Sequence, residues 1–243
     1  MIRPLSAALL ATSLFCAPAF AQSVSPAIAA AVADSARPDT DKERDAARKP
    51  AETVAFAGVK PGMTVAELGP GRGYYTRILS KAVGPNGKVY AVITAAQAAR
   101  PGVLDGLNAL AASYPNIKVV TVEYATMALP EKADLFWTTE NYHDFHNNGG
   151  DIAALDKAVF NNLKPGGIFY VEDHSAAPGA GLAATTQFHR MDEAVAKSEL
   201  TAAGFKLDGE GQLLRNPADN KAASNSETGH FASDRFMFRM KRP

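Results

Sequence analysis

Two sets of residues have the types and spacing to do chemistry. The first is Glu67 followed by Gly69, Gly71 and Gly73, in the run Val65-Ala66-Glu67-Leu68-Gly69-Pro70-Gly71-Arg72-Gly73. Alternating glycines let a turn adopt positive φ and let a ligand approach the backbone. Tyr74 to Val83 follow with helical spacing, so the unpaired N–H groups of a helix N-terminus point at the same place. A strand, a glycine turn and a helix in this order form a cradle for a small ligand.

The second set is histidine-rich. His143, Asp144 and His146 follow one predicted strand, and Asp173 and His174 end another. An imidazole titrating near 6.5 suits a general base at neutral pH, so His143 or His146 is a candidate base, oriented by Asp144 or Asp173. His143, His146, Asp173 and His174 also offer the nitrogen and oxygen donors that Zn²⁺ accepts. A third reading makes them hydrogen-bonded structural groups. The remaining histidines are His189, on the next predicted helix beside Arg190 and Asp192, and His230.

These residues need a scaffold that gathers them. From Met63 onward strands and helices alternate, which predicts an α/β doubly wound fold with a parallel sheet covered on both faces. Strands are expected at 63–68, 88–93, 117–122, 133–138, 168–173, 205–212 and 233–240, and helices at 74–83, 101–113, 149–162 and 185–203. In such sheets ligands bind at the carboxyl ends of the strands, where both residue sets fall. Trp137 is expected to pack in the core, Glu199 to be solvated or capping, and Asp234 and Arg235 to pair at a strand start. Residues 215–232 read as a long loop.

A dinucleotide fingerprint starting at Gly69 would need glycine where Tyr74 stands. The observed E-x-G-x-G-x-G, the Lys164-Pro165-Gly166-Gly167 turn before the fifth strand and Ala203-Gly204-Phe205 before the sixth resemble the class I S-adenosylmethionine (SAM) dependent methyltransferases. The resemblance covers about residues 50–240 and implies a Rossmann-like seven-stranded methyltransferase fold. It further implies SAM as cofactor, with Glu67, Gly69, Gly71 and Gly73 at its methionine end. Tyr74 and Tyr75 open the helix after the glycines, and one of them, Tyr74, is expected to face the ligand while the other packs. Where the family usually carries an acid for the ribose this chain has Ile93, followed by Thr94 with one hydroxyl. Where the family commonly carries an acid for the adenine it has Ala125, with Glu123 close by. A hydrogen bond to a charged group contributes about 1.5–3 kcal/mol, so losing both would weaken binding by about two to four decades.

Lysine plus arginine and aspartate plus glutamate are balanced at 25 each, which gives no strong field for nucleic acid. Arg3, the short apolar run Leu5–Phe15 and Ala19-Phe20-Ala21 predict a signal peptide over residues 1–21. Cleavage there removes Cys16, the only cysteine, and points to a periplasmic or secreted chain without stable membrane insertion. Residues 22–62 are expected to form an N-terminal helical extension and 63–243 the methyltransferase-like domain. The expected function is methyl transfer from SAM to a small molecule. A non-catalytic ligand-binding protein on this fold, or a metal-dependent enzyme using the histidine crevice, are the alternatives. No G-x-S-x-G elbow or phosphate-binding P-loop is present.

Overall fold

A computed structural model of the chain describes residues 23–147, 149–229 and 231–243. The expected signal peptide and His230 lie outside the described residues. Four short helices open the described chain: α1 (Pro26–Val32), α2 (Asp39–Lys42), α3 (Asp45–Arg48) and α4 (Pro50–Ala57). Then come β1 (Thr64–Leu68), α5 (Tyr74–Val83), β2 (Lys88–Ile93), α6 (Ala95–Ala98), α7 (Val103–Ser113) and β3 (Ile117–Thr121). The second half runs β4 (Ala133–Thr139), α8 (Tyr142–Asn147), α9 (Ile152–Asn162), β5 (Leu163–His174), α10 (Ala183–Phe188) and α11 (Glu193–Ala202). It closes with β6 (Lys206–Gly211), α12 (Asn225–Thr228) and β7 (Arg235–Lys241).

The seven strands form one sheet in the order β3-β2-β1-β4-β5-β7-β6. The first five are parallel, and β7 is antiparallel to both β5 and β6. Strand β1 is buried at all five residues because helices cover both of its faces, which is why Val65 to Leu68 lack a polar alternation. The sheet order reverses between β1 and β4, so the crevice for a ligand opens at the carboxyl ends of those strands. Trp137 of β4 lies in the core, its ring 4.7 Å from Tyr75 and 4.3 Å from Tyr170. No helix among the described residues is long and apolar enough to cross a membrane.

Four local expectations change. The predicted helix over 185–203 is two helices, α10 and α11, broken at His189, which takes φ +49°. The break turns Arg190 inward, where its guanidinium donates to Asp219 at 2.8 Å and to the Ser175 carbonyl at 3.0 Å. Residues 142–147, between the predicted strand and helix, form α8. The stretch 215–232 carries α12 and is held down by Arg190 to Asp219 and by Lys221 to Asp234 at 2.8 Å. Asp234 and Arg235 do not pair with each other. Asp234 takes Arg215 and Lys221, while Arg235 pairs with Glu140 and Glu172.

Candidate functional site

Gly69, Gly71 and Gly73 all have positive φ, +63°, +57° and +82°. Each faces something different. A β-carbon at Gly73 would lie 2.5 Å from the Leu110 side chain, and one at Gly69 would lie 3.1 Å from the Asn141 amide. At Gly71 nothing lies within 4 Å, so this glycine borders open space. Glu67 at the end of β1 is buried, and the Thr76 hydroxyl donates to its Oε2 at 2.6 Å. Burial pushes the Glu67 carboxyl up to about 7, against the pull of that hydrogen bond. Asn141, just past β4, donates to the carbonyls of Gly69 (3.2 Å) and Thr139 (2.7 Å) and so ties the histidine segment to the glycine turn.

Beside the turn is a cavity of about 300 Å³, lined in part by Thr94, Gln97, Glu123, Tyr124, Ala125 and Phe145. Its size falls at the low end for small-molecule sites. Tyr124 joins the two features, because its hydroxyl lies 3.2 Å from the Val92 carbonyl, which itself accepts from the Gly69 N–H. Thr94 and Glu123 therefore share one cavity. The Thr94 hydroxyl is engaged as a helix cap, accepting from the Gln97 N–H at 3.2 Å, while Gln97 Oε1 accepts from Thr94 N–H and from the Tyr124 hydroxyl. Glu123 is exposed at the cavity rim. Tyr74, expected at the cofactor, instead gives its hydroxyl to Asp45 of the N-terminal extension at 2.6 Å.

On the other side of the turn, His143 of α8 packs against the end of β5. Asp173 holds it twice: Oδ2 accepts from the His143 backbone N–H and Oδ1 lies 2.7 Å from Nδ1. Asp173 is wholly buried and also accepts from the His174 N–H at 2.8 Å. Burial disfavours the charged imidazole, but the Asp173 and Asp144 carboxylates outweigh it, and the His143 pKa lies above the ordinary value of 6.5. With its Nδ1 engaged by a carboxylate, His143 is set as the Nδ1–H tautomer and keeps an Nε2 lone pair, 3.4 Å from Asp144 Oδ1.

The four-residue metal set is not gathered. His146 turns to Glu199, with 3.2 Å between Nε2 and Oε2, and its ring meets that of Tyr142. Glu199 is thus engaged by a histidine rather than simply solvated or capping. His174 Nδ1 lies 2.5 Å from the Ser233 hydroxyl. His143, Asp144 and His189 are what comes together, with one ligand atom from each within 4.8 Å of the others.

The mouth also holds residues that sequence reasoning missed. Arg235 donates to Glu172 at 3.0 Å, to Glu140 at 3.1 Å and to the Ala47 carbonyl at 2.6 Å, all largely buried. Arg48 of α3 pairs with Glu140 and lies over the rings of Tyr74 and Tyr75. The extension is therefore bolted to the carboxyl end of the sheet by ion pairs. Removing one partner of such a cluster leaves buried charge without a counter-ion. Arg235→Met should accordingly lower unfolding free energy by about 3–5 kcal/mol in a denaturant melt. A loss below about 1 kcal/mol would mean the cluster is solvated. Asn141 and Glu140 had a signal, their place just after a strand end, whereas Arg48 had none because its partner lies 92 residues away.

Asp156 of α9 is buried, accepts from the Tyr142 hydroxyl at 2.8 Å and has no partner on Oδ1. Burial pushes its carboxyl from 3.8 up to about 7. A pKa raised on folding means that the bound proton favours the folded state. The contribution is whole below the ordinary value and is lost as pH rises through about 7. Asp156→Asn should remove that part of the slope between about pH 4 and 7, on the order of 2–4 kcal/mol, and stabilise the protein at pH 8. Parallel stability profiles for variant and wild type would contradict this.

Sheet order, the antiparallel seventh strand and the glycine turn together define the fold of the class I SAM-dependent methyltransferases. A SAM-dependent methyltransferase from Aquifex aeolicus superposes with a TM-score of 0.61 at 18% identity, covering 85% of this chain and 99% of that one. Fibrillarin from Aeropyrum pernix, solved with natively bound SAM, matches at TM-score 0.51 and 17% identity over 75% of this chain and 67% of its own. The [4+2]-cyclase SpnF matches at 0.59 and 13% identity over 84% and 80%. At these identities the likeness is one of fold, and the cyclase illustrates that fold alone does not fix the reaction. No family model matches the sequence, and no curated protein matches it significantly.

Proposed function

We propose that the protein is an exported, SAM-dependent methyltransferase acting on a small molecule. The observation that carries this reading is the joining of three features at the carboxyl end of the sheet. These are the glycine turn with buried Glu67, the cavity beside Tyr124 and the Asp173-held His143, linked to the turn through Asn141. Glu67 and the open face of Gly71 suit the methionine end of SAM, whose cationic amine would favour the ionised form of the carboxyl. The cavity with Thr94, Glu123 and Ala125 suits its nucleoside end.

When bound, SAM supplies an electrophilic methyl group for in-line transfer. The chain's own residues orient the acceptor and take its proton. His143 Nε2, which carries the lone pair in the neutral tautomer that Asp173 selects, is the base. Most of the acceleration comes from holding both reactants in line. Ile93 and Ala125 stand where the family's acids would, so affinity rests on the glycine turn and the Glu123 rim. Calorimetric titration with SAM and with S-adenosylhomocysteine should give saturable binding with Kd of about 1–100 µM. No heat up to about 1 mM would contradict the reading.

A further inference from the structure

We propose that His143, Asp144 and His189 form a site for one divalent transition-metal ion at the mouth of the crevice. Asp144 Oδ1 lies 3.4 Å from His143 Nε2 and 3.6 Å from His189 Nδ1, and all three ligand atoms fall within 4.8 Å of one another. Metal–ligand bonds of about 2.0–2.2 Å in a tetrahedral array put ligand atoms about 3.3–3.6 Å apart. Two of the three edges already have that length. The third closes by a small rotation of His189, whose side chain is 55% exposed.

The surroundings fix the donors. Asp173 holds Nδ1 of His143, the arrangement in which a carboxylate orients a ligating imidazole and raises its basicity. His189 is pinned from two sides. Asn147 of α8 accepts from the hydroxyls of Thr185 (2.8 Å) and Thr186 (3.0 Å), which locks α10 to the helix carrying His143. Arg190, the next residue, is buried against Asp219. Between these anchors His189 takes φ +49°, an unusual backbone for a non-glycine residue, and its carbonyl accepts from Asn225. The two imidazole rings meet at 90° with centroids 5.6 Å apart.

Two imidazoles and one carboxylate select ions such as Zn²⁺, Fe²⁺ or Co²⁺ over Mg²⁺ or Ca²⁺, and leave coordination positions open. Exposure of Asp144 and His189 gives the ion an entry path. Resting on the methyltransferase reading, the site further implies an acceptor with an oxygen donor. A bound ion would take the His143 lone pair out of base duty and acidify that oxygen instead.

The test uses the tag-free full chain, stripped with chelator and dialysed. Zn²⁺ is titrated by calorimetry and Co²⁺ by its visible d–d absorption. The expected result is one equivalent with Kd of about 1 µM or tighter. Asp144→Ala and His189→Ala, both at partly exposed side chains, should each weaken binding at least about tenfold, and His146→Ala should leave it unchanged. Absence of saturable binding, or binding indifferent to Asp144→Ala and His189→Ala, would overturn the site. Neither outcome bears on SAM affinity, so failure here and failure of the methyltransferase reading are read separately.

Discussion

Asp173→Asn is expected to lower kcat by about 10²–10⁴-fold while leaving SAM affinity and the fold in place. The reason is tautomeric. Asp173 accepts on both oxygens, from His143 Nδ1, from the His143 backbone N–H and from the His174 N–H. Asparagine has one acceptor and one donor end. If its oxygen keeps the backbone N–H of His143, its amide faces Nδ1, which must then accept. The ring proton moves to Nε2, and the lone pair there is lost. Misplacing one buried hydrogen bond costs about 1–3 kcal/mol, enough to shift the melt without abolishing folding. Kinetics with the acceptor should therefore show the loss in kcat, with little change in KM for SAM. A fall in SAM affinity with unchanged kcat would instead make Asp173 a purely structural residue.

Gly71→Arg should abolish SAM binding, by at least about 100-fold, in a protein that still folds. The three glycines differ in this respect. A side chain at Gly73 collides with Leu110 and one at Gly69 presses on Asn141, so variants there confound binding with folding. At Gly71 the only intrinsic penalty is the left-handed backbone, φ +57°, about 1–2 kcal/mol for a residue with a β-carbon. That corresponds to a lowering of the melting temperature of about 2–8 °C. The arginine itself would occupy the open space beside the turn and bring a positive charge towards the place of a cationic cofactor. Calorimetry on the variant, with a melt to confirm folding, decides the matter. A folded Gly71→Arg protein that binds SAM like the wild type would remove the glycine turn from the cofactor site.

Much of the scaffold was legible in the sequence because its signals are local. Val65 to Leu68 read as a buried strand, and the glycines announce the turn after it. Lys164-Pro165-Gly166-Gly167, expected as a turn before the fifth strand, lies inside β5, where the pairing with β4 jumps from Leu163 to Ile168. What escaped depends on distant partners. The break at His189 has no glycine or proline to mark it. It follows from Arg190 turning in to Asp219, 29 residues later. Arg48 carries no signal of its own and Arg235 reads as a partner of Asp234, until the sheet brings Glu140 and Glu172 to them. His174 ends β5 as expected, yet the grouping of His143 and His146 depended on α8. As a helix, residues 142–147 send His143 to Asp173 and His146 to Glu199, which divides a pair that the spacing alone left together. The same is true of Tyr74, whose hydroxyl goes to the extension because Asp45 is carried over the start of α5.

The most direct measurement is a crystal structure of the protein with S-adenosylhomocysteine. The amino acid end of the ligand is expected beside Glu67 and Gly71, and its adenine in the cavity between Thr94 and Ala125. The sulfur should point towards the space in front of His143. Ligand bound elsewhere, or a crevice still closed by its own side chains at saturating concentration, would contradict the assignment of this site to SAM.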